Sequence, residues 1–106
     1  MPKQQDRKIV RRQGEAVTTI TTKRGEEPEK TFQRREIVDD LPEHPAYVKV
    51  EGGLTKSLAP YESARMGVSI SVPCHTHDAA IRKTYKRVSD LVGELLECEY
   101  EKIMDT

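Results

Sequence analysis

The sequence has little of what builds a large interior. Its 106 residues include no Trp, one Phe and two Cys, and only 35% are hydrophobic while 34% are charged. Two cysteines are too few for a disulfide framework, so we expect free thiols and a cytoplasmic location. The length limits the chain to one thinly cored domain.

Long apolar runs are also missing. No stretch approaches the roughly 18 to 20 apolar residues of a membrane span, and no apolar segment follows the basic N-terminus as in a secretory signal. We therefore expect neither a membrane partner nor a leader. A glycine-rich phosphate loop and a nucleophile elbow are absent too, so we predict no enzyme, no catalytic residue and no cofactor.

The formal net charge is zero, with 18 basic and 18 acidic residues, but the charges are segregated. Residues 1–24 carry seven basic and two acidic side chains, and residues 25–45 carry three and seven. Apolar residues concentrate after position 45. We therefore divide the chain into a basic then acidic arm, residues 1–45, and a core, residues 46–106.

Two kinds of periodicity organise the core. Residues 46–72 alternate polar and apolar side chains in two stretches, which predicts two antiparallel strands with turn residues at Gly52–Gly53 and at 57–60. From Asp78 apolar residues recur every three or four positions, which predicts one amphipathic helix to about residue 104. Thr76 or Asp78 is expected to cap this helix.

Two strands and one helix make a poor monomer, because an isolated hairpin is marginal in water. The fold class is therefore α+β, with a sheet of two strands, or four if residues 15–38 form a second hairpin. The alternative is a disordered arm, since its apolar content is low. We also predict a homodimer through the helix. Its interface residues would be Tyr85, Val88, Val92, Leu95 and Leu96.

The strand and turn LAPYESARMGVSISVPC, followed by the amphipathic helix, resembles a small family of bacteriophage-type proteins. That family has an NYES-(A/V)-R-(V/I)-x-V strand, and this chain has Pro60 where the family usually has Asn. The resemblance covers residues 47–104. It implies a phage protein in the host-cell cytoplasm, in a context of nucleic-acid processing, and no established activity.

A cluster of potential metal ligands lies between the second strand and the helix. Thiolate, imidazole and carboxylate groups suit zinc, but adjacent ligands seldom bind one ion and no second ligand pair is present at the usual spacing. The sequence therefore favours a helix cap with solvated histidines over a metal site. The residues concerned are Cys74, His75, His77 and Asp78.

Basic residues cluster at two places. One is the arm, with Arg7, Lys8, Arg11 and Arg12, and the other is the start of the helix, with Arg82, Lys83, Lys86 and Arg87. Such clusters favour phosphate backbones, although antiparallel pairing of two helices would also account for the second. We predict an accessory protein that binds nucleic acid. The alternative is a protein-interaction module, an inhibitor of a host protein or an assembly factor, without nucleic-acid contact.

Overall fold

A computed structural model describes residues 12–60 and 62–104. It contains four strands, β1 (Arg12–Arg24), β2 (Lys30–Leu41), β3 (Ala46–Ala59) and β4 (Glu62–Cys74), and one helix, α1 (Asp78–Met104). The strands form one antiparallel sheet in the order β2-β1-β4-β3. The predicted α+β class is confirmed, in its four-stranded form.

The N-terminal hairpin is part of the sheet because its β-branched strand pairs on both sides. Ile20 in β1 is opposite Phe32 in β2 and opposite Val68 in β4. The hairpin turns at Gly25, whose φ of 56° suits a residue without Cβ, and whose N–H donates to Ser63 O at 2.8 Å. Position 45 therefore separates two hairpins of one sheet, and residues 12–41 do not form a separate arm.

The second hairpin turns at Pro60, within the predicted segment 57–60, but the predicted turn at the glycines does not form. Gly52 and Gly53 lie inside β3, opposite Val68 and Gly67, and the irregularity in the pairing falls between Ser57 and Ala59. A Cβ on Gly52 would lie 2.9 Å from Leu96 Cδ1. The glycine therefore allows α1 to approach β3, and it does not serve a turn.

The core lies between α1 and the sheet. Alternate residues of β4 face the helix, and Val68, Ile70 and Val72 pack there against Val88 and Val92. Val88 is fully buried, and Val92 is 4% exposed. Within the described residues, no helix combines the length with the apolar character that crossing a bilayer requires.

Candidate binding groove

The helix covers only half of the sheet. It packs on β3 and β4, and within the described chain no Cα atom of α1 comes within 8 Å of β1 or β2. The reason is dimensional, because a helix is about 10 Å wide and strands are about 4.8 Å apart, so one helix covers about two strands. The helix side of β1 and β2 is left open as a groove beside α1.

The floor of this groove comes from alternate residues of the uncovered strands. Pairing in register brings Ala16, Thr18 and Ile20 of β1 beside Phe32, Arg34, Glu36 and Val38 of β2. The volume of the groove is about 590 Å³. The floor is apolar at its two ends, and Thr18 and the Arg34–Glu36 ion pair, with its charged atoms 3.4 Å apart, lie between them.

One side of α1 forms the wall of the groove. Arg87, Leu91 and Leu95 follow one another along it at spacing four. Leu91 is 41% exposed and Phe32, across the floor, is 59% exposed. Exposed large apolar side chains that line one concavity mark interaction sites more often than isolated ones do.

The groove opens at each end among charged side chains. At the N-terminal end of α1, a cavity of about 880 Å³ is lined by Asp39 and Asp40 on the strand side and by the basic residues of the helix. At the other end, Lys30 and Lys102 line the opening, and Lys102 Nζ lies 3.0 Å from Glu99 Oε2. Basic side chains thus predominate along the helix wall.

The predicted nucleic-acid residues are only partly brought together. All four basic helix residues are exposed and line the N-terminal cavity. Lys86 pairs with Asp90 at 3.4 Å, and Arg12 pairs with Glu43 at 3.6 Å. Arg7, Lys8 and Arg11 lie outside the described residues. The four basic side chains of the helix therefore line one cavity, and the carboxylates of Asp39 and Asp40 face them across it.

The predicted dimer interface on α1 requires correction. Val88 and Val92 belong to the core of the chain itself, and Leu95 and Leu96 are half-buried against that core. Of the five predicted residues, Tyr85 alone is largely exposed, at 57%. The sequence assigns these aliphatic residues to a second copy because it does not show that the chain's own sheet covers them.

The candidate metal ligands have other roles in the structure. Cys74 is buried in β4, while His75, His77 and Asp78 are exposed. His77 caps α1, since the Ala80 N–H donates to His77 Nδ1 at 3.3 Å and to His77 O at 3.1 Å. The cap thus lies one residue away from each predicted cap, Thr76 and Asp78. The described part of the chain holds no group of three or more such side chains placed to share an ion.

Sequence reasoning missed Ile20, Phe32 and Leu91 as site residues. Leu91 belongs to the predicted apolar residues of the helix. It makes the apolar side of the helix wider than the part that packs on β3 and β4. Phe32 is the only phenylalanine of the chain and lies in a mostly polar strand. Two features of the sequence could have indicated these site residues: the wide apolar side of the helix and an apolar residue in a polar strand.

Comparison with known proteins adds no relative. No protein-family model, curated protein or solved structure matches the chain. The resemblance to the bacteriophage-type family stays a prediction.

Proposed function

We propose that this chain is a non-enzymatic protein-binding module whose groove receives an amphipathic helix of a partner protein. The observation that carries this proposal is the open half of the sheet beside α1, where the large apolar side chains of Phe32 and Leu91 are exposed across one groove. Helix-in-groove recognition is a common mode by which a small domain uses such a surface.

A helix suits the groove on geometric grounds. The uncovered half of the sheet is two strands wide, which is the width that α1 itself occupies on the other half. A second helix lying beside α1 would complete the layer. It would cover Ile20 and Phe32 on the floor and contact Leu91 on the wall.

The charges favour a partner helix with acidic polar residues. Arg87 lies at the N-terminal end of the groove wall, and Lys83 and Lys102 lie at the two openings of the groove. Complementary charge at the rim increases association rate and specificity more than it increases affinity. The proposed partner is therefore apolar on the face that meets the sheet and acidic on its flanks.

Nucleic-acid binding is the second candidate. It is supported by four exposed basic side chains within the first three turns of α1. Against it, Phe32 is the one aromatic side chain among the described residues that line the groove, whereas base stacking uses several aromatic platforms. The prediction of an accessory protein in phage nucleic-acid processing therefore ranks below the protein-binding proposal.

A synthetic helical peptide with leucines on one face and glutamates on the others tests the proposal. Its binding to the full chain is measured by fluorescence anisotropy, beside a peptide with lysines in place of the glutamates. We expect the acidic peptide to bind better, and Leu91→Glu to weaken it about tenfold, because a buried leucine contact contributes about 1.5 kcal/mol or more. Glu97→Gln, on the exposed outer side of the helix, is the matched control.

The outcomes separate the two candidates. Equal affinity of Leu91→Glu and the parent chain for the acidic peptide, or no binding, would refute the groove proposal. Binding of a DNA or RNA oligonucleotide that weakens steeply with salt and is lost in Lys83→Glu would support the second candidate. Far-ultraviolet circular dichroism checks that each variant is folded.

A further inference from the structure

Strand β2 is one of the two edges of the sheet. Among the described strands it pairs with β1 alone, and its register with β1 is unbroken from Lys30 to Val38. Edges are normally blunted by charged side chains, by proline, by bulges or by shortness, because free N–H and C=O groups recruit another strand. Strand β2 has twelve residues and no proline, and its charges are of both signs, so a strand with the complementary charge order can still pair with it. The other edge, β3, is also paired in unbroken register, from Ala46 to Ser57, but α1 packs over one face of it, whereas no Cα atom of α1 comes within 8 Å of β2.

Apolar side chains on β2 are exposed on both faces of the sheet. Phe32, on the helix side, is 59% exposed and Ile37, on the opposite side, is 60% exposed. A strand added next to β2 would cover part of both. We propose that this strand is β2 of a second copy, so that two chains form one continuous eight-stranded antiparallel sheet.

The sequence of β2 is complementary to itself. With a two-fold axis at Arg35, Arg34 of each copy lies opposite Glu36 of the other. In the same register, Phe32 lies opposite Val38 on the groove side, and Gln33 lies opposite Ile37 on the other. Opposite charges and apolar residues that face each other directly across strands stabilise a sheet. Arg35 of one copy lies opposite Arg35 of the other. The repulsion between them is reduced because each Arg35 forms an ion pair with Glu15 of its own chain, at 2.8 Å.

Neighbouring registers are less favourable. Side chains alternate between the two faces of a sheet, so both helices lie on one face only if even-numbered residues of β2 are opposite even-numbered ones. This condition excludes every second register. An axis at Arg34 would place Arg34 opposite itself, and an axis at Glu36 would place two glutamates together. An axis at Ile37 would shorten the paired segment to residues 33–41 and place Glu36 opposite Val38. It would also bring Asp40, where a φ of 62° interrupts the regular strand, inside the paired segment, whereas the axis at Arg35 leaves Asp40 at its end. The charges and backbone thus select the axis at Arg35.

This dimer differs from one formed through the helix, and it changes the groove. Both helices lie on the same side of the joined sheet, and the two open half-sheets meet at the β2 strands. Phe32 of one copy and Val38 of the other then continue the apolar floor across the junction. The result is one wide trough flanked by two antiparallel helices.

A single cysteine at the two-fold axis tests the register. Directly opposed residues of antiparallel strands have Cα atoms about 4.5 to 5.5 Å apart, within disulfide range, so Arg35→Cys should form a covalent dimer on mild oxidation. Ile37→Cys is the matched control, because its two copies would be roughly 13 Å apart in this register. Both are made with Cys98→Ser, since Cys98 is exposed while Cys74 is buried. A cross-link through Ile37→Cys but not Arg35→Cys would overturn the assignment.

Charge exchange tests the interface without cross-linking. Sedimentation equilibrium of the full chain should show Arg34→Glu and Glu36→Arg each raising the dimer dissociation constant at least about tenfold, since each creates two like-charge contacts. Mixing the two variants, or combining them in one chain, should restore the dimer. A monomeric parent chain, or a dimer insensitive to both variants, refutes the proposal. The test is independent of the groove proposal, because Leu91→Glu lies on α1 and should leave the dimer intact.

Discussion

Two glycines that the sequence does not distinguish should respond in opposite ways to alanine. Gly93 lies on the exposed side of α1, and a Cβ there would meet nothing within 4 Å. Gly52 lies in β3 beneath the helix, where a Cβ would be 2.9 Å from Leu96 Cδ1 and 3.2 Å from Val92 Cγ1. Comparing the two alanine variants therefore shows how closely α1 packs on the sheet.

The magnitudes follow from these surroundings. Gly93→Ala should raise the free energy of unfolding by about 1 kcal/mol, the difference in helix propensity, because nothing opposes the added methyl group. Gly52→Ala gains about 0.5 to 1 kcal/mol of backbone entropy but overpacks a site where such changes cost about 1 to 3 kcal/mol. Leu96 can rotate away, whereas Val92 is β-branched, buried and stiff. A net loss of about 1 kcal/mol is therefore expected for Gly52→Ala.

Urea unfolding followed by circular dichroism measures both changes. With a slope of about 2 kcal/mol per molar, the midpoint should rise by about 0.5 M for Gly93→Ala and fall by about 0.5 M for Gly52→Ala, with unchanged slopes. Protein concentration is kept constant, because association adds to apparent stability. Destabilisation by Gly93→Ala would mean that another chain packs on that face. Stabilisation by Gly52→Ala would contradict the close approach of α1 to β3.

Three further predictions concern the interior and the thiols. Ser89→Ala should stabilise the chain by about 1 kcal/mol in the same urea assay, because Ser89 Oγ is buried and has no hydrogen-bond partner among the described residues; a loss of stability would reveal a partner. Val88→Ala should cost about 2 kcal/mol, since Val88 is fully buried and truncation leaves a cavity; a loss below about 0.5 kcal/mol would contradict its place in the core. Under native conditions a thiol reagent should modify Cys98 rapidly and Cys74 only after unfolding, as followed by mass spectrometry; equal rates would contradict the burial of Cys74 in β4.

Local patterns are sufficient to predict several elements. The apolar spacing from Asp78 predicts α1, which ends at Met104. The alternation around Val68 and Ile70 predicts β4 and the face that it buries. These predictions succeed because the repeat of a helix or a half-buried strand is recorded in neighbouring residues.

The candidate site is less accessible from the sequence, because it depends on contacts between distant segments. Nothing local indicates that β1 lies between β2 and β4, and this placement leaves Ile20 and Phe32 beside an open space. The basic residues of α1 are recognisable in the sequence, but not the carboxylates of Asp39 and Asp40 that face them across the cavity. The pairing of strands that are distant in sequence decides both the position of the open space and the position of these carboxylates.

The sequence by itself determined the α+β class, the helix and its charge segregation, because each depends on composition or on a short repeat. Tertiary structure alone decided which side chains remain available to a partner. Val88 and Val92 have the pattern of an interface but are buried by β3 and β4, while Leu91, in the same stripe, lies past the edge of the covered strands. Periodicity shows that a face is apolar, whereas the width of a helix relative to four strands decides which part of that face is covered.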